Sequence, residues 1–126
     1  MNYTLKFFKL SEFDSPDAPG SGAKMDKEFL YLIDKAREHA GVPFKINSGY
    51  RTKAHHDALA KRGYKTAKNS AHLTGHAADI HCTDSAKRFR IIEALMLVGF
   101  DRIGIADTFI HVDNDPGKPE EVIWLY

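Results

Sequence analysis

Residues 70–82 constrain the fold of this chain more than any other segment. The segment begins with a polar stretch that carries His72, and it ends in residues 77–82, where most side chains are small and apolar. Such a run predicts a buried strand, because slim side chains let neighbouring segments approach closely. The period of two along a strand puts Asp79 and His81 on one face and their apolar neighbours on the other. The chain therefore has to place polar side chains beside a buried sheet.

Apolar periodicity and capping residues predict three helices. The first covers residues 24–40 as an amphipathic helix, and the second covers residues 53–62 with Thr52 as its cap. The third runs from Thr83 or Asp84 to Val98 and is expected to turn one stripe inward, formed by Phe89, Ile92, Leu95 and Met96.

Short apolar or alternating runs predict the strands, at residues 44–47, 77–82, 102–105, 109–113 and 122–125. Helices dominate the first part of the chain, and paired strands close it. This order predicts an α+β fold with a small, mainly antiparallel sheet and helices packed on it.

Composition excludes several classes of protein. The 126 residues suit a single domain over residues 1–126. Lys and Arg number 18 and Asp and Glu 17, so the chain lacks the basic charge of a nonspecific nucleic-acid binder. No apolar stretch is long enough for a membrane span. We expect a monomer that binds neither nucleic acid nor membrane. The single Cys82 excludes an internal disulfide.

The first ten residues lack the charged start and apolar run of a secretory signal. We therefore expect synthesis in the cytoplasm, with release by another agent if the protein acts outside the cell.

Three side chains are candidate metal ligands: His72, Asp79 and His111. A catalytic zinc takes three such ligands and keeps a fourth position open for water. Alternation along residues 109–113 places Phe109, His111 and Asp113 on one face of a strand. Spacing alone leaves a chance arrangement open as an alternative.

The motifs around these residues resemble those of a known family. The pattern is Ser70-x-His72-x-x-Gly75-x-Ala77-x-Asp79. It matches the zinc D-alanyl-D-alanine carboxypeptidase family of peptidoglycan peptidases, which includes vancomycin-resistance dipeptidases and many phage endolysins. Two further segments resemble the arginine motif of the family and the closing motif of its small, phage-type branch: Ser48-Gly49-Tyr50-Arg51 and Phe109-Ile110-His111-Val112-Asp113.

The resemblance implies a fold like that of the DD-peptidases and the Hedgehog signalling domain. It implies one zinc ion (Zn²⁺) held by His72, Asp79 and His111. It also implies that Arg51 binds the substrate carboxylate or carbonyl and stabilises the developing oxyanion. For Ser70, the resemblance leaves two roles open: a hydrogen bond to substrate, or orientation of the metal-binding loop.

The expected activity is hydrolysis of peptide-stem bonds in peptidoglycan, as a D,D-carboxypeptidase or an endopeptidase of endolysin type. One departure from the family concerns the general base. Many members carry glutamate three residues before the last histidine, and Thr108 occupies that position here. Asp113 and Asp107 are the candidate replacements. Asp113 has a second possible role, as the acceptor that fixes a ligand histidine.

Thr108 also keeps two alternatives to an enzyme open: a non-catalytic zinc-binding module, as in the Hedgehog signalling domain, and a structural component of a phage virion. Tyr50 either lines the cleft or packs in the core, Trp124 belongs to the core, and His55 and His56 lie on a solvated helix face.

Overall fold

A computed structural model describes residues 4–64 and 66–126. These residues form three α-helices: α1 (Lys27–Ala40), α2 (Lys53–Lys61) and α3 (Ser85–Leu97). They also form five strands: β1 (Ile46–Ser48), β2 (Ala77–His81), β3 (Arg102–Ile105), β4 (Phe109–Asp113) and β5 (Val122–Leu125). The α+β class is confirmed, and β3, β4 and β5 have the bounds that the sequence predicts. The first three residues of the N-terminal segment tested for a signal lie outside the described part.

The five strands form one sheet in the order β1-β2-β4-β3-β5. The pairs β1–β2, β2–β4 and β4–β3 are antiparallel, and β5 adds a parallel edge beside β3. The prediction of a mainly antiparallel sheet is confirmed. One row of cross-strand partners runs through the whole sheet and consists of Ser48, Asp79, His111, Gly104 and Trp124. This row brings residues that are far apart in sequence onto one line.

Helix α1 supplies one side of the hydrophobic core. Its cap Asp26 accepts a hydrogen bond from the backbone N–H of Phe29 at 2.9 Å, which satisfies one of the free donors of the first turn. Phe29, Ile33 and Ala36 are fully buried, as the predicted amphipathic helix requires. Fully burying a Phe or Ile side chain contributes about 1.5–3 kcal/mol. The helix therefore owes its place to one apolar face, which packs against α3 in the same hydrophobic core as the buried residues of the sheet.

Helix α3 uses a different face from the one that the sequence predicts. Leu95 is buried as expected, but Phe89 and Met96 are 67% and 53% exposed. Ile91 and Ala94 face the core in their place. Phe89 and Ile91 lie about 200° apart around a helix, so only one of them can face α1. The helix carries two apolar stripes, and packing selects the one through Ile91.

Helix α2 begins where the sequence predicts, because the Thr52 hydroxyl accepts from the backbone N–H of His55 at 3.1 Å. The prediction of a solvated His56 is wrong. This side chain is buried, and its Nε2 lies 2.8 Å from the carbonyl oxygen of Ala67. The hydrogen bond ties the helix to the loop that follows it. Within the described residues, no helix combines the length and the apolar character that a membrane crossing requires.

Candidate metal centre

The sheet register places two of the three predicted ligands side by side. Asp79 on β2 and His111 on β4 are direct cross-strand partners. His72 lies on a short 3-10 helix, Ala71–Thr74, that precedes β2. The donor atoms of these three residues all lie within 4.8 Å of one another. The structure thus brings together the set that the sequence predicts.

His72 is positioned by backbone groups. The Ser70 hydroxyl caps the 3-10 helix by accepting from the backbone N–H of His72 at 3.2 Å. After the helix, Gly75 turns the chain at φ +77°, and a Cβ there would lie 2.5 Å from the carbonyl oxygen of Lys24. The imidazole Nδ1 lies 2.7 Å from the carbonyl oxygen of Gly49, so Nδ1–H donates to it. Nε2 is left as the ligand atom, 3.3 Å from Asp79 Oδ1. Burial lowers the pKa of His72, which favours the neutral ring that a metal requires.

His111 is positioned by a carboxylate and uses its other ring nitrogen. Its Nε2–H donates to Asp113 Oδ2 at 2.7 Å, and its Nδ1 lies 2.9 Å from Asp79 Oδ1. Burial lowers the pKa of His111, but the hydrogen bonds to Asp113 and Asp79 outweigh it and raise the pKa overall. Nδ1 is therefore the atom that faces the other two ligands.

Asp79 stays ionised between these histidines. Burial by itself would raise the pKa of Asp79, but its contacts with His72 and His111 outweigh burial and hold it below its usual range. Its second oxygen, Oδ2, lies 3.3 Å from Arg51 Nη2. The carboxylate can thus act as an anionic ligand that a guanidinium holds in place.

The donor set fits a zinc ion. Zinc binds imidazole nitrogen and carboxylate oxygen at about 2.0–2.2 Å in tetrahedral geometry, which puts neighbouring donors about 3.3 Å apart. The contacts of Asp79 Oδ1 with His72 Nε2 and His111 Nδ1, at 3.3 and 2.9 Å, are close to that spacing. Each imidazole also has a partner for its second nitrogen, as metal-binding histidines normally do.

Arg51 borders the centre on the side of β1. Its Nε donates to the Ser48 hydroxyl at 2.9 Å, and its backbone N–H donates to the carbonyl oxygen of His72 at 3.0 Å. Burial lowers the pKa of Arg51, while the charge of Asp79 raises it. The guanidinium is therefore held rigidly beside the ligands.

The two candidate bases lie in different places. Asp113 is 2% exposed, and Arg102 Nε donates to its Oδ1 at 2.7 Å while His111 occupies Oδ2. Burial raises the pKa of Asp113, but His111 and Arg102 outweigh it and lower the pKa overall. Asp107 is exposed in the turn between β3 and β4, where its carbonyl oxygen accepts from Arg88. It does not line the cavity around the ligands.

Comparisons with known proteins agree with this geometry. A family model described as Peptidase M15 matches residues 9–113. The chain belongs to the peptidase M15 family. No curated protein matches the sequence. Among solved structures, the chain is similar to the crystal structure of Serratia marcescens L-Ala D-Glu endopeptidase ChiX, with 23% identity and a TM-score of 0.54. The similarity covers 60% of this chain and 62% of that one, and it supports the M15 fold.

In this M15 chain the ligands open into a cavity of about 910 Å³. Ser70 lines the cavity, where it also caps the metal-binding loop. Tyr50 lies elsewhere: its ring packs against the hydrophobic core, with the Lys24 ammonium 5.7 Å from its centroid. Of the two positions left open for Tyr50, the structure therefore has the one against the core.

Two cavity-lining residues occupy places that the sequence did not predict. His55, expected on a solvated helix face, lines the cavity from α2. Trp124, expected in the core, lines it from β5, and its ring lies 5.4 Å from that of His111.

Gly104 lies beside His111 in the sheet, a position that the sequence analysis did not single out. It stands between His111 and Trp124 in the sheet register, and a Cβ there would lie 2.6 Å from Trp124 Nε1. The missing side chain makes room for the indole beside the ligands. An isolated glycine inside a predicted strand signals such a close approach, and that signal was present in the sequence.

Proposed function

We propose that this chain is a zinc-dependent peptidase that hydrolyses peptide-stem bonds of bacterial peptidoglycan. The observation that carries the proposal is the convergence of His72, Asp79 and His111 in the lining of a cavity that Arg51 also lines. A zinc ion bound there would supply a Lewis acid that polarises a peptide carbonyl and lowers the pKa of water.

Arg51 is the substrate-binding group in this proposal. Ser48 and Asp79 fix its guanidinium, so little side-chain freedom is lost when substrate binds. A planar guanidinium donates paired hydrogen bonds to a carboxylate or to a carbonyl oxygen that gains charge. We infer that Arg51 aligns the substrate and stabilises that charge.

Asp113 is the positioning residue for His111 in this proposal. Its carboxylate accepts from His111 and Arg102, which favours the role of orienting a ligand over that of removing a proton from water. The assignment of Asp113 or Asp107 as the general base stays a prediction. The exposure of Asp107 outside the cavity weighs against that residue.

Cleavage of purified muropeptides, with and without a chelator, tests the proposal. We expect products from the zinc-loaded chain, none after chelation, and recovery when zinc is restored. His72→Ala should abolish cleavage. His81→Ala is the matched control, because His81 is exposed and does not line the cavity. Equal cleavage by loaded and metal-free protein would refute the zinc mechanism. Mass analysis of the products identifies the bond cut, and so separates a carboxypeptidase from an endopeptidase.

One observation favours a second candidate, a non-catalytic zinc-binding module. Among the described residues that line the cavity, the carboxylates are Asp79 and Asp113, and both already accept hydrogen bonds from protein groups. The module predicts stoichiometric zinc without cleavage of any muropeptide. An endolysin setting, a virion setting, a monomeric state and cytoplasmic synthesis all stay predictions from the sequence.

A further inference from the structure

We propose that the Tyr126 hydroxyl is a second hydrogen-bond donor to the anionic substrate oxygen that Arg51 binds. The inference rests on the proposed function, because it concerns the substrate of the same cavity. The ligand chemistry is an oxyanion: either a carboxylate of the substrate or the carbonyl oxygen under attack.

The alternation of side chains along β5 places Tyr126 on the face of the sheet that carries the ligands. Trp124 lies in the same cross-strand row as His111, and Tyr126 lies two residues further on, so both side chains leave the same face of the sheet. Both line the cavity that contains the ligands and Arg51. The backbone N–H of Tyr126 donates to the carbonyl oxygen of Ile105 at 3.1 Å, which extends the register past the strand end.

The phenol ring is held although the residue is 64% exposed. Its centroid lies 5.1 Å from that of Phe109 and 6.4 Å from that of Trp124. A Cβ on Gly104 would lie 2.8 Å from Tyr126 Cε2, so the ring edge next to the hydroxyl rests on this glycine. These contacts fix the direction of the hydroxyl without covering it.

The surroundings of the hydroxyl leave its proton available to a ligand. The Trp124 indole, whose ring centroid lies 6.4 Å from that of Tyr126, can only donate a hydrogen bond and so does not compete for this proton. Burial raises the pKa of Tyr126, the charge of Asp79 raises it further, and Arg51 lowers it. The phenol therefore keeps its proton at neutral pH, and it lines the same cavity as the Arg51 guanidinium.

The Asp79 carboxylate already has other partners and does not require the proton of the Tyr126 hydroxyl. Asp79 Oδ2 already accepts from Arg51, and Asp79 Oδ1 faces the two ligand nitrogens. Arg51 carries no acceptor at all. A guanidinium and a neutral phenol that line the same cavity, each with an N–H or O–H to donate, form a site for an oxygen that carries negative charge.

The first experiment compares Tyr126→Phe with the native chain, both loaded with zinc, on the muropeptide that the native chain cleaves. We expect kcat/KM to fall between about 10-fold and about 100-fold. Bound zinc and Tm should stay unchanged, because the ring remains. Leu125→Ala is the matched control: this neighbour is 78% exposed on the opposite face of β5, and its kcat/KM should equal that of the native chain. A Tyr126→Phe variant with native kcat/KM would overturn the inference.

A double-mutant cycle tests whether the two donors share one oxygen. We expect the loss in Arg51→Lys combined with Tyr126→Phe to be smaller than the product of the two single losses. Losses that multiply would mean separate partners and would overturn the shared site. Amidation of the substrate carboxylate then distinguishes the two sources. The effect of Tyr126→Phe disappears if the oxygen belongs to that carboxylate, and it persists if the oxygen is the carbonyl under attack.

Binding of a phosphinate analogue of D-alanyl-D-alanine, measured by calorimetry, separates this inference from the proposed function. Tyr126→Phe should weaken binding by a factor similar to its loss in kcat/KM. If the native chain binds the analogue but cleaves nothing, the proposed function fails and a weaker Tyr126→Phe complex still supports the inference. If the native chain cleaves the muropeptide but Tyr126→Phe binds the analogue as tightly as the native chain does, the inference fails and the proposed function stands.

Discussion

The two ligand histidines are held in opposite ways. His72 donates Nδ1–H to the backbone carbonyl of Gly49 and offers Nε2, whereas His111 donates Nε2–H to the Asp113 carboxylate and offers Nδ1. Both rings are at least nine-tenths buried. The two ring centroids lie 5.3 Å apart at an interplanar angle of 66°. The two rings are thus close neighbours although different groups orient them.

The difference lies in what each histidine depends on. The carbonyl that holds His72 belongs to the main chain, so no side-chain replacement removes it. The carboxylate that holds His111 is one side chain, and a second side chain, Arg102, holds it in turn. The orientation of His72 is therefore sensitive to changes in backbone conformation, and the orientation of His111 is sensitive to changes in charge.

Removing either ring should have the largest effect. We expect His72→Ala and His111→Ala each to abolish stoichiometric zinc binding at micromolar concentrations, because two remaining ligands do not make a zinc site. Calorimetry or competition with a chromophoric chelator measures the loss. Zinc at about 1,000 times its Kd stabilises a folded protein by about 4 kcal/mol, so zinc should raise the Tm of the native chain and of neither variant. A variant that keeps native affinity would remove that histidine from the site.

Gly75→Ala should disturb the orientation of His72, because it changes the backbone that follows the 3-10 helix. The left-handed conformation and the 2.5 Å approach to Lys24 together predict a loss of about 3–5 kcal/mol in the free energy of unfolding, measured with urea. Gly41→Ala is the matched control, because Gly41 has a φ of +67° with no atom near its Cβ position. It should cost only about 1–2 kcal/mol. Equal losses would mean that the close contact contributes nothing.

Substitution of Asp113 tests whether its carboxylate orients the His111 ring. If Asp113 orients the ring, Asp113→Ala should weaken zinc binding about 10- to 100-fold, and excess zinc should restore turnover. Asp113→Asn, which keeps an acceptor oxygen, should weaken it less. A general base predicts the reverse: native zinc affinity with lost kcat in Asp113→Asn. We expect Asp107→Ala to match the native chain, because this residue is exposed away from the cavity.

The sequence predicted the parts of the site that one strand or one motif determines. Alternation placed Asp79 and His111 on polar strand faces, and the strand bounds of β3, β4 and β5 followed from local pattern alone. What it could not predict depends on contacts between distant elements. The partner of each imidazole nitrogen and the pairing of Gly104 with both His111 and Trp124 require the strand order.

The same limit explains the error in α3. Its sequence supports two apolar stripes, and only the position of α1 selects Ile91 over Phe89. For Tyr50, local pattern equally left core and cleft open, because an aromatic residue after a short strand suits either environment.

Substitution of Ser70 should have the smallest effect. Ser70 helps to position His72 through a single hydrogen bond, in which its hydroxyl accepts from the backbone N–H of His72. Ser70→Ala should cost about 1 kcal/mol in the free energy of unfolding, as the loss of a helix cap usually does. Ser70→Thr should recover most of it, because the hydroxyl returns. If the role is structural, KM for the muropeptide stays native in both variants once zinc is saturating. A raised KM in Ser70→Ala with native stability would instead place the hydroxyl on the substrate, the second role that the motif leaves open.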